Sequence, residues 1–312
     1  MIPQFDSGIG RITEGPSTEA FEKKLKGVLG AKHVVACSNG TAAIYLALKA
    51  VGVDKGEEVQ VPALTFIATA EAVSFLGATP RFVDVSTDDF CVDGNGINGD
   101  DWLVSVHLNG RDGGPGTVMD CAQALGARKY PHGTGTLSFH ASKIVTTGEG
   151  GAVFTDSEEV AERVRMLKNH GRLDKKDFHP TLGFNFKFDD MRASLGLSQL
   201  DMLQSRRSHA LDLRRWYSKE LPDLVFGKPD EVLCWQDVLV DDREKVMKAL
   251  AESGIGCRPY YKVLTMQPPY LTMERFPNSE FASNHGLWLP SSPNLTRGQV
   301  GRICDVIRGA VK

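Results

Sequence analysis

Residues 138–151 read Ser-Phe-His-Ala-Ser-Lys-Ile-Val-Thr-Thr-Gly-Glu-Gly-Gly and set one lysine, Lys143, between two short apolar runs. Residues 136–139 read as a strand leading into the lysine, and residues 152–155 as a second buried strand behind it. Gly148, Gly150 and Gly151 join the two, a composition suited to backbone angles and close approaches that a Cβ forbids. Lysines are as a rule solvated surface charges. One held at the end of a buried strand, in a pocket poor in water, loses part of its preference for the charged form. That is the property required of a lysine that condenses with an aldehyde to a Schiff base.

The rest of the chain supplies a frame. Ser17 or Thr18 can cap a helix with apolar stripe Phe21, Leu25, Val28 and Leu29, and Gly30 is a plausible stop. Residues 33–37 read as a buried strand, 38–40 as a glycine turn and 41–50 as a helix. The free N–H groups and dipole of such a helix start suit a phosphate, and Thr41 would cap the helix or bond a phosphate oxygen. Helices are expected at 67–76 and 157–168, and strands at 81–85 and 103–107 and ending at Asp120. This alternation predicts a mostly parallel sheet sandwiched by helices. An unpaired carboxylate at a buried strand end is expensive, so Asp120 is either a helix N-cap or the partner of a buried cation. Phe66, taken alone, reads as core. A helix from about 191, bent on its way to 221, carries a basic run at 206–217 that reads as a solvated face. Short strands around 233–240 and a helix at 242–253 then give an α+β pattern. The expected division is a large domain, 1–205, with an irregular arm at 1–16, and a small C-terminal domain, 206–312.

Several stretches resemble the pyridoxal 5'-phosphate (PLP) dependent sugar aminotransferases of the DegT/DnrJ/EryC1/StrS family: Ser-Phe-x-x-x-Lys with Gly-Glu-Gly-Gly, Ser-x-Gly-Thr-Ala-Ala from Ser38, Met119-Asp-Cys-Ala-Gln-Ala124, Gly183-Phe-Asn-Phe-Lys-Phe188 and Arg258-Pro-Tyr-Tyr261. The resemblance implies an aspartate-aminotransferase-like α/β fold (fold type I) with PLP as a Schiff base on Lys143. It assigns Thr41, Ala42 and Ser138 to the cofactor phosphate, Phe66 to the pyridine face, Asp120 to the ring N–H and Gln123 to the 3'-oxygen. Asn185 would reach the phosphate in a neighbouring subunit, which implies a homodimer with shared active sites. His140, Glu149, Arg258, Tyr260 and His285 are implied substrate contacts. The implied reaction moves an amino group from an amino acid, glutamate or glutamine, to a nucleotide-linked keto-deoxysugar. Dehydration or aldol cleavage on the same cofactor, and an inactive PLP-binding regulator, are the alternatives. Relatives that dehydrate sugars replace the lysine with histidine, and Lys143 is intact. The chain departs from the family between the strand ending Val106-His107 and the strand ending Asp120, where residues 111–116 are too few for a crossover helix. A tight loop, or a strand that leaves the parallel register, is expected there, with the shortening on the outer face.

Composition excludes other classes. A formal net charge of -3 offers no electrostatic footprint for nucleic acid or an anionic membrane. No apolar run approaches the ~20 residues of a membrane helix, and the start of the chain lacks the pattern of a signal peptide. Six scattered cysteines show no metal or redox spacing and read as free thiols in a reducing cytoplasm.

Overall fold

The structure, a computed structural model, describes residues 12–92, 101–127, 132–172 and 177–312. Most of the expected N-terminal arm, residues 1–11, lies outside them. Helix α1 (Pro16–Leu29) ends at Gly30 with φ 72°. Gly15, not Ser17 or Thr18, precedes its first turn. The Thr18 hydroxyl instead donates to Asp190 at 2.7 Å, and Asp190 also accepts the N–H groups of Gly15 and Thr18. A distant carboxylate thus satisfies the helix start that a local hydroxyl was expected to cap.

Strand β1 (His33–Cys37), α2 (Gly40–Val51), β2 (Glu58–Pro62), α3 (Ala68–Phe75), β3 (Thr79–Val83), β4 (Trp102–Val106), β5 (Val118–Asp120), β6 (Gly135–Ser138) and β7 (Gly151–Thr155) follow. They build one sheet in the order β1-β7-β6-β5-β4-β2-β3. From β6 to β3 every pair is parallel, and β7 is antiparallel to both its neighbours. Alternate residues point to opposite faces. Val35, Val61 and Val104 therefore pack with α2 on one side. Ala36, Met119, Leu137 and Phe154 pack on the other, against α1 and the later helix α5 (Asp190–Asp201), with α4 (Glu158–Lys168) between them in sequence. This is the mostly parallel α/β frame of fold type I.

Helix α6 (Leu203–Glu220) starts in that core, through Leu203, and ends in another, through Leu213 and Tyr217. Met202 separates it from α5, the bend read in the sequence. Beyond it come β8 (Gln236–Leu239), α7 (Arg243–Glu252), β9 (Arg258–Pro259), α8 (Pro277–His285), β10 (Gly286–Leu289) and α9 (Arg297–Val311). The strands form an antiparallel sheet, β8-β10-β9, packed on α6, α7 and α9 through Leu250, Leu287 and Ile303.

The β4–β5 connection keeps the parallel register, with Val104 opposite Val118 and Val106 opposite Asp120. It contains one 3-10 turn, Leu108–Gly110, and no α-helix. Contrary to expectation it does not lie on the outer face. Arg111 is buried, its guanidinium donating to Asp237 at 3.0 Å and lying 4.7 Å from the Phe226 ring centre. Arg214 corrects a second expectation. Although it belongs to the basic run of α6 it is 0% exposed, donating to the Lys228 carbonyl at 2.8 Å and pairing with Asp237 at 3.3 Å. Tyr260 also donates to Asp237. One buried carboxylate therefore collects two guanidiniums and a phenol. Asp237→Ala leaves both cations buried without it and should cost about 3–5 kcal/mol, read as a fall in the urea midpoint. Arg215→Ala, at an exposed position of the same helix, should leave the midpoint unchanged.

Candidate active site

The first wall of the site is the start of α2. Asn39 is extended and its Oδ1 accepts the Ala42 N–H at 2.8 Å, so Asn39 and not Thr41 caps the helix. Ala42 thereby has its amide engaged. The N–H groups of Gly40 and Thr41 have no carbonyl four residues back within the helix. Two glycines let other strands press against this turn. A Cβ on Gly40 would stand 2.9 Å from Ser138 Cβ, and one on Gly151 would overlap the Asn39 carbonyl. The ends of β6 and β7 are thus seated on the helix start, with Ser138 beside Gly40.

The second wall is the C-terminal edge of the parallel strands. Asp120 ends β5 and is buried. It accepts the Thr69 hydroxyl at 2.9 Å and the Ala122 N–H at 3.0 Å, and among the described residues it has no cation within ion-pair distance. Burial pushes its carboxyl above the usual aspartate range, with the Ala122 and Thr69 hydrogen bonds opposing. Gln123 follows in a turn, and its Nε2 donates to the Tyr261 hydroxyl at 2.9 Å. His107, just past β4, accepts the Gly113 N–H on Nδ1 at 3.2 Å, which leaves the ring proton on Nε2. That Nε2 is buried without a partner among the described residues, and burial lowers the ring's pKa.

Lys143 stands half-buried in the turn after β6, five residues past Ser138, not at the strand's own end. Its Nζ lies 5.3 Å from the Trp235 ring centre. The side chains of Lys143, Asp120, Gln123, Ser138 and Phe66 all face one cavity of about 840 Å³, as do Thr41 and Ala42 of the helix start. His140, Glu149 and Arg258 line it too. His140 Nδ1 meets the Ser142 hydroxyl at 2.9 Å and its Nε2 stands 3.8 Å from Glu149. Arg258 lies 5.5 Å from the Tyr261 ring centre.

Two expected site residues are elsewhere. Tyr260 is buried among Phe90, Trp288 and Asp237, and its neighbour Tyr261 occupies the cavity wall in its place. Strand β9 ends at Pro259, so the alternation that would place Arg258 and Tyr260 on one face stops there. His285 ends α8, stacked on Phe281 at 4.3 Å and bonded to the Phe281 carbonyl, away from the cavity lining. Asn185 is exposed and outside the lining, but Phe184 and Phe186 on either side of it belong to the wall, with Tyr45 edge-on to both. Sequence reasoning missed Trp235, His107 and Tyr45. Only His107 carried a signal, as a polar residue ending an apolar strand.

The DegT/DnrJ/EryC1/StrS aminotransferase family profile matches residues 7–99 and 116–308. The chain belongs to this family. It is 32% identical to GDP-perosamine synthase of Caulobacter vibrioides, over 91% of this chain and 87% of that protein. It is also 32% identical to a UDP-N-acetyl-3-dehydro-alpha-D-glucosamine 3-aminotransferase of Acidithiobacillus ferrooxidans, over 97% and 92%. Among solved structures, DesV of S. venezuelae in complex with a ketimine intermediate superposes with a TM-score of 0.90 at 30% identity, covering 97% of this chain and 91% of that one. Residues 100–115, between the two matched stretches, hold β4 and most of the short connection.

The cofactor of this DegT-family chain is PLP, and the cavity fits it. Among the described residues Asp120 is a buried carboxylate lacking a cationic partner and His107 presents an unpartnered ring nitrogen, and a helix start faces Lys143 across the same space. Two outcomes follow. The folded-state pKa of Asp120 is raised, so its ionisation costs stability above the ordinary aspartate value of about 3.9 and costs nothing well below it. Asp120→Asn should therefore stabilise the apoprotein at pH 7, with the gain vanishing near pH 3, in urea titrations at both pH values. Gly151→Ala should displace Asn39 and weaken PLP binding about tenfold or more while costing about 1–3 kcal/mol of stability, read by cofactor titration and urea unfolding.

Proposed function

We propose that this chain moves an amino group from glutamate or glutamine to a nucleotide-linked keto-deoxysugar, working as a cytoplasmic homodimer. The observation that carries the reading is the convergence of Lys143, Asp120 and the start of α2 on one cavity. The names of the two curated relatives, acting toward GDP- and UDP-linked sugars, support the substrate class. When bound, PLP supplies an aldehyde that carries the amino group between the two substrates and a ring that accepts electrons. Asp120 holds the proton on the ring nitrogen. Gly40, Thr41 and Ser138 anchor the phosphate, Phe66 covers the ring face, and the Gln123 amide addresses the 3'-oxygen. The Lys143 amine, once displaced by the donor, moves a proton at the donor's α-carbon as base and then as acid. Trp235 and Tyr261 keep water from that amine. Arg258, an exposed planar fork at the cavity rim, receives a carboxylate or a diphosphate. His140 and Glu149 bond sugar hydroxyls.

The rim supports the dimer. Phe75 is 69% exposed and Phe184 46% exposed in the single chain, and both line the cavity beside the exposed Asn185. A second copy covering this edge would bring its own Asn185 to the phosphate. Among the described residues no helix is long and apolar enough to cross a membrane. The six cysteines are free, with Cys37 and Cys91 pushed up to about 12 by burial, which supports the cytoplasm. We also read the domain boundary near residue 205, where α6 leaves the first core.

Holoprotein mixed with glutamate alone should release one equivalent of keto acid and lose its yellow band, and a keto-sugar nucleotide should restore the band with formation of the amino sugar. Lys143→Ala should show neither reaction. Turnover that survives in that variant, or dehydrated sugar without amine transfer, overturns the reading.

A further inference from the structure

The short β4–β5 connection holds a residue to which the scheme above gives no role. Asn109 is 1% exposed and left-handed, with φ 60° and ψ 11°, a conformation that asparagine tolerates better than most residues. Its main-chain N–H donates to Gln123 Oε1 at 2.7 Å. With that oxygen engaged, the amide can turn only its NH₂ end toward the cavity, where Nε2 donates to the Tyr261 hydroxyl. The Asn109 side chain faces the small domain. Its Nδ2 donates to the Trp235 carbonyl at 2.8 Å and to Asp237 at 2.9 Å, and its Oδ1 accepts the Trp235 N–H at 2.8 Å. Its carbonyl accepts the Cys234 N–H at 3.0 Å. Asn109 therefore grips both main-chain groups of Trp235 as a neighbouring strand would, and it is Trp235 that stands over Lys143.

We propose that Asn109 is a positioning residue for the transfer reaction: its side chain sets the Trp235 ring against the Lys143 nitrogen, and its main chain fixes which end of the Gln123 amide meets the cofactor. The inference rests on the aminotransferase reading and extends it to a residue of the shortened connection that touches neither substrate nor cofactor. The chemical consequence is specific. A ring fixed 5.3 Å from the Lys143 nitrogen limits where that nitrogen can stand. Loosening the ring misplaces it.

The test uses the holoprotein and reads the induced circular dichroism of its visible absorption band beside the donor half-reaction. Asn109→Gly keeps the main-chain donor to Gln123, since glycine adopts this backbone angle freely, and removes the grip on Trp235 together with the bond to Asp237. The band should lose induced dichroism, because the ring beside Lys143 is no longer held. The donor half-reaction should slow about tenfold with the donor KM within about twofold, the loss expected of misplaced groups. Trp235→Leu should lose both in the same way. The double variant should lose no more than Trp235→Leu alone, because Asn109 acts through that ring. An unchanged dichroism in Asn109→Gly, or additive losses in the double variant, overturns the proposal. If Asn109→Gly does not fold, an unchanged dichroism in Trp235→Leu overturns it equally. Wild-type protein whose yellow band ignores glutamate would fail the aminotransferase reading instead, and leaves the dichroism comparison legible.

Discussion

Two adjacent parallel strands, β4 and β5, must be joined by residues 107–117 alone. A parallel pair ordinarily needs a crossover of a dozen or more residues, usually a helix. Here the chain makes a 3-10 turn, holds Asn109 and Gly110 left-handed, and passes Gly113 so close to the Val106 carbonyl that a Cβ would not fit. The connection itself holds no α-helix and packs instead on a later part of the chain. Asn109 and Arg111 reach Trp235, Phe226 and Asp237 across the gap. A buried ion cluster is weak evidence of net stability, because desolvation offsets much of its attraction. Its geometry is nevertheless restrictive. Asp237 accepts from Arg111, Arg214, Tyr260 and Asn109, and these donors come from three separate parts of the chain, so β8 has one seat against the connection.

The site inherits its geometry from that seating. Parallel strands place their carboxyl ends on one edge of the sheet, where ligands of open α/β folds bind. His107, Asp120 and Ser138 end or follow β4, β5 and β6 at that edge, and the start of α2 faces them. The antiparallel β7 begins there, which is why Gly151 meets Asn39. The start of α2, Asp120 and Lys143 all come from the first half of the chain. Trp235, Arg258 and Tyr261, which also line the cavity, come from beyond α6. The contacts of the short connection are thus contacts of the active site at one remove.

Much of this was legible from local pattern. Short apolar runs marked the strands, Gly30 marked the end of α1, and the lysine motif located the cavity. What was not legible depended on partners far away in the chain. Thr18 looked like a cap, but Asp190 approaches it from a distant helix. Arg214 sits in a basic run that periodicity reads as solvated, and only Asp237 brings it inside. Tyr260 and Tyr261 are adjacent and chemically alike, and the end of β9 at Pro259 decides which faces the cavity. The shortened connection was visible as a missing helix. Its inward course was not, because nothing in residues 107–117 names the carboxylate at 237.

The single chain leaves its own site under-satisfied. Asp120 is buried and ionises reluctantly, held by a threonine hydroxyl and one N–H where a cation would hold it better. His107 turns a buried N–H into the cavity without an acceptor among the described residues. Phenylalanines stand half-exposed along the rim. Each of these costs free energy in the folded chain, and most of the cost falls where a protonated ring nitrogen or an apolar ring face would remove it. A group that binds the folded chain and not the unfolded one stabilises it by mass action. Cofactor affinity and fold stability are therefore linked through the same few atoms: the burial that makes Asp120 ionise reluctantly costs the folded chain free energy, and a protonated ring bound beside it would return that cost.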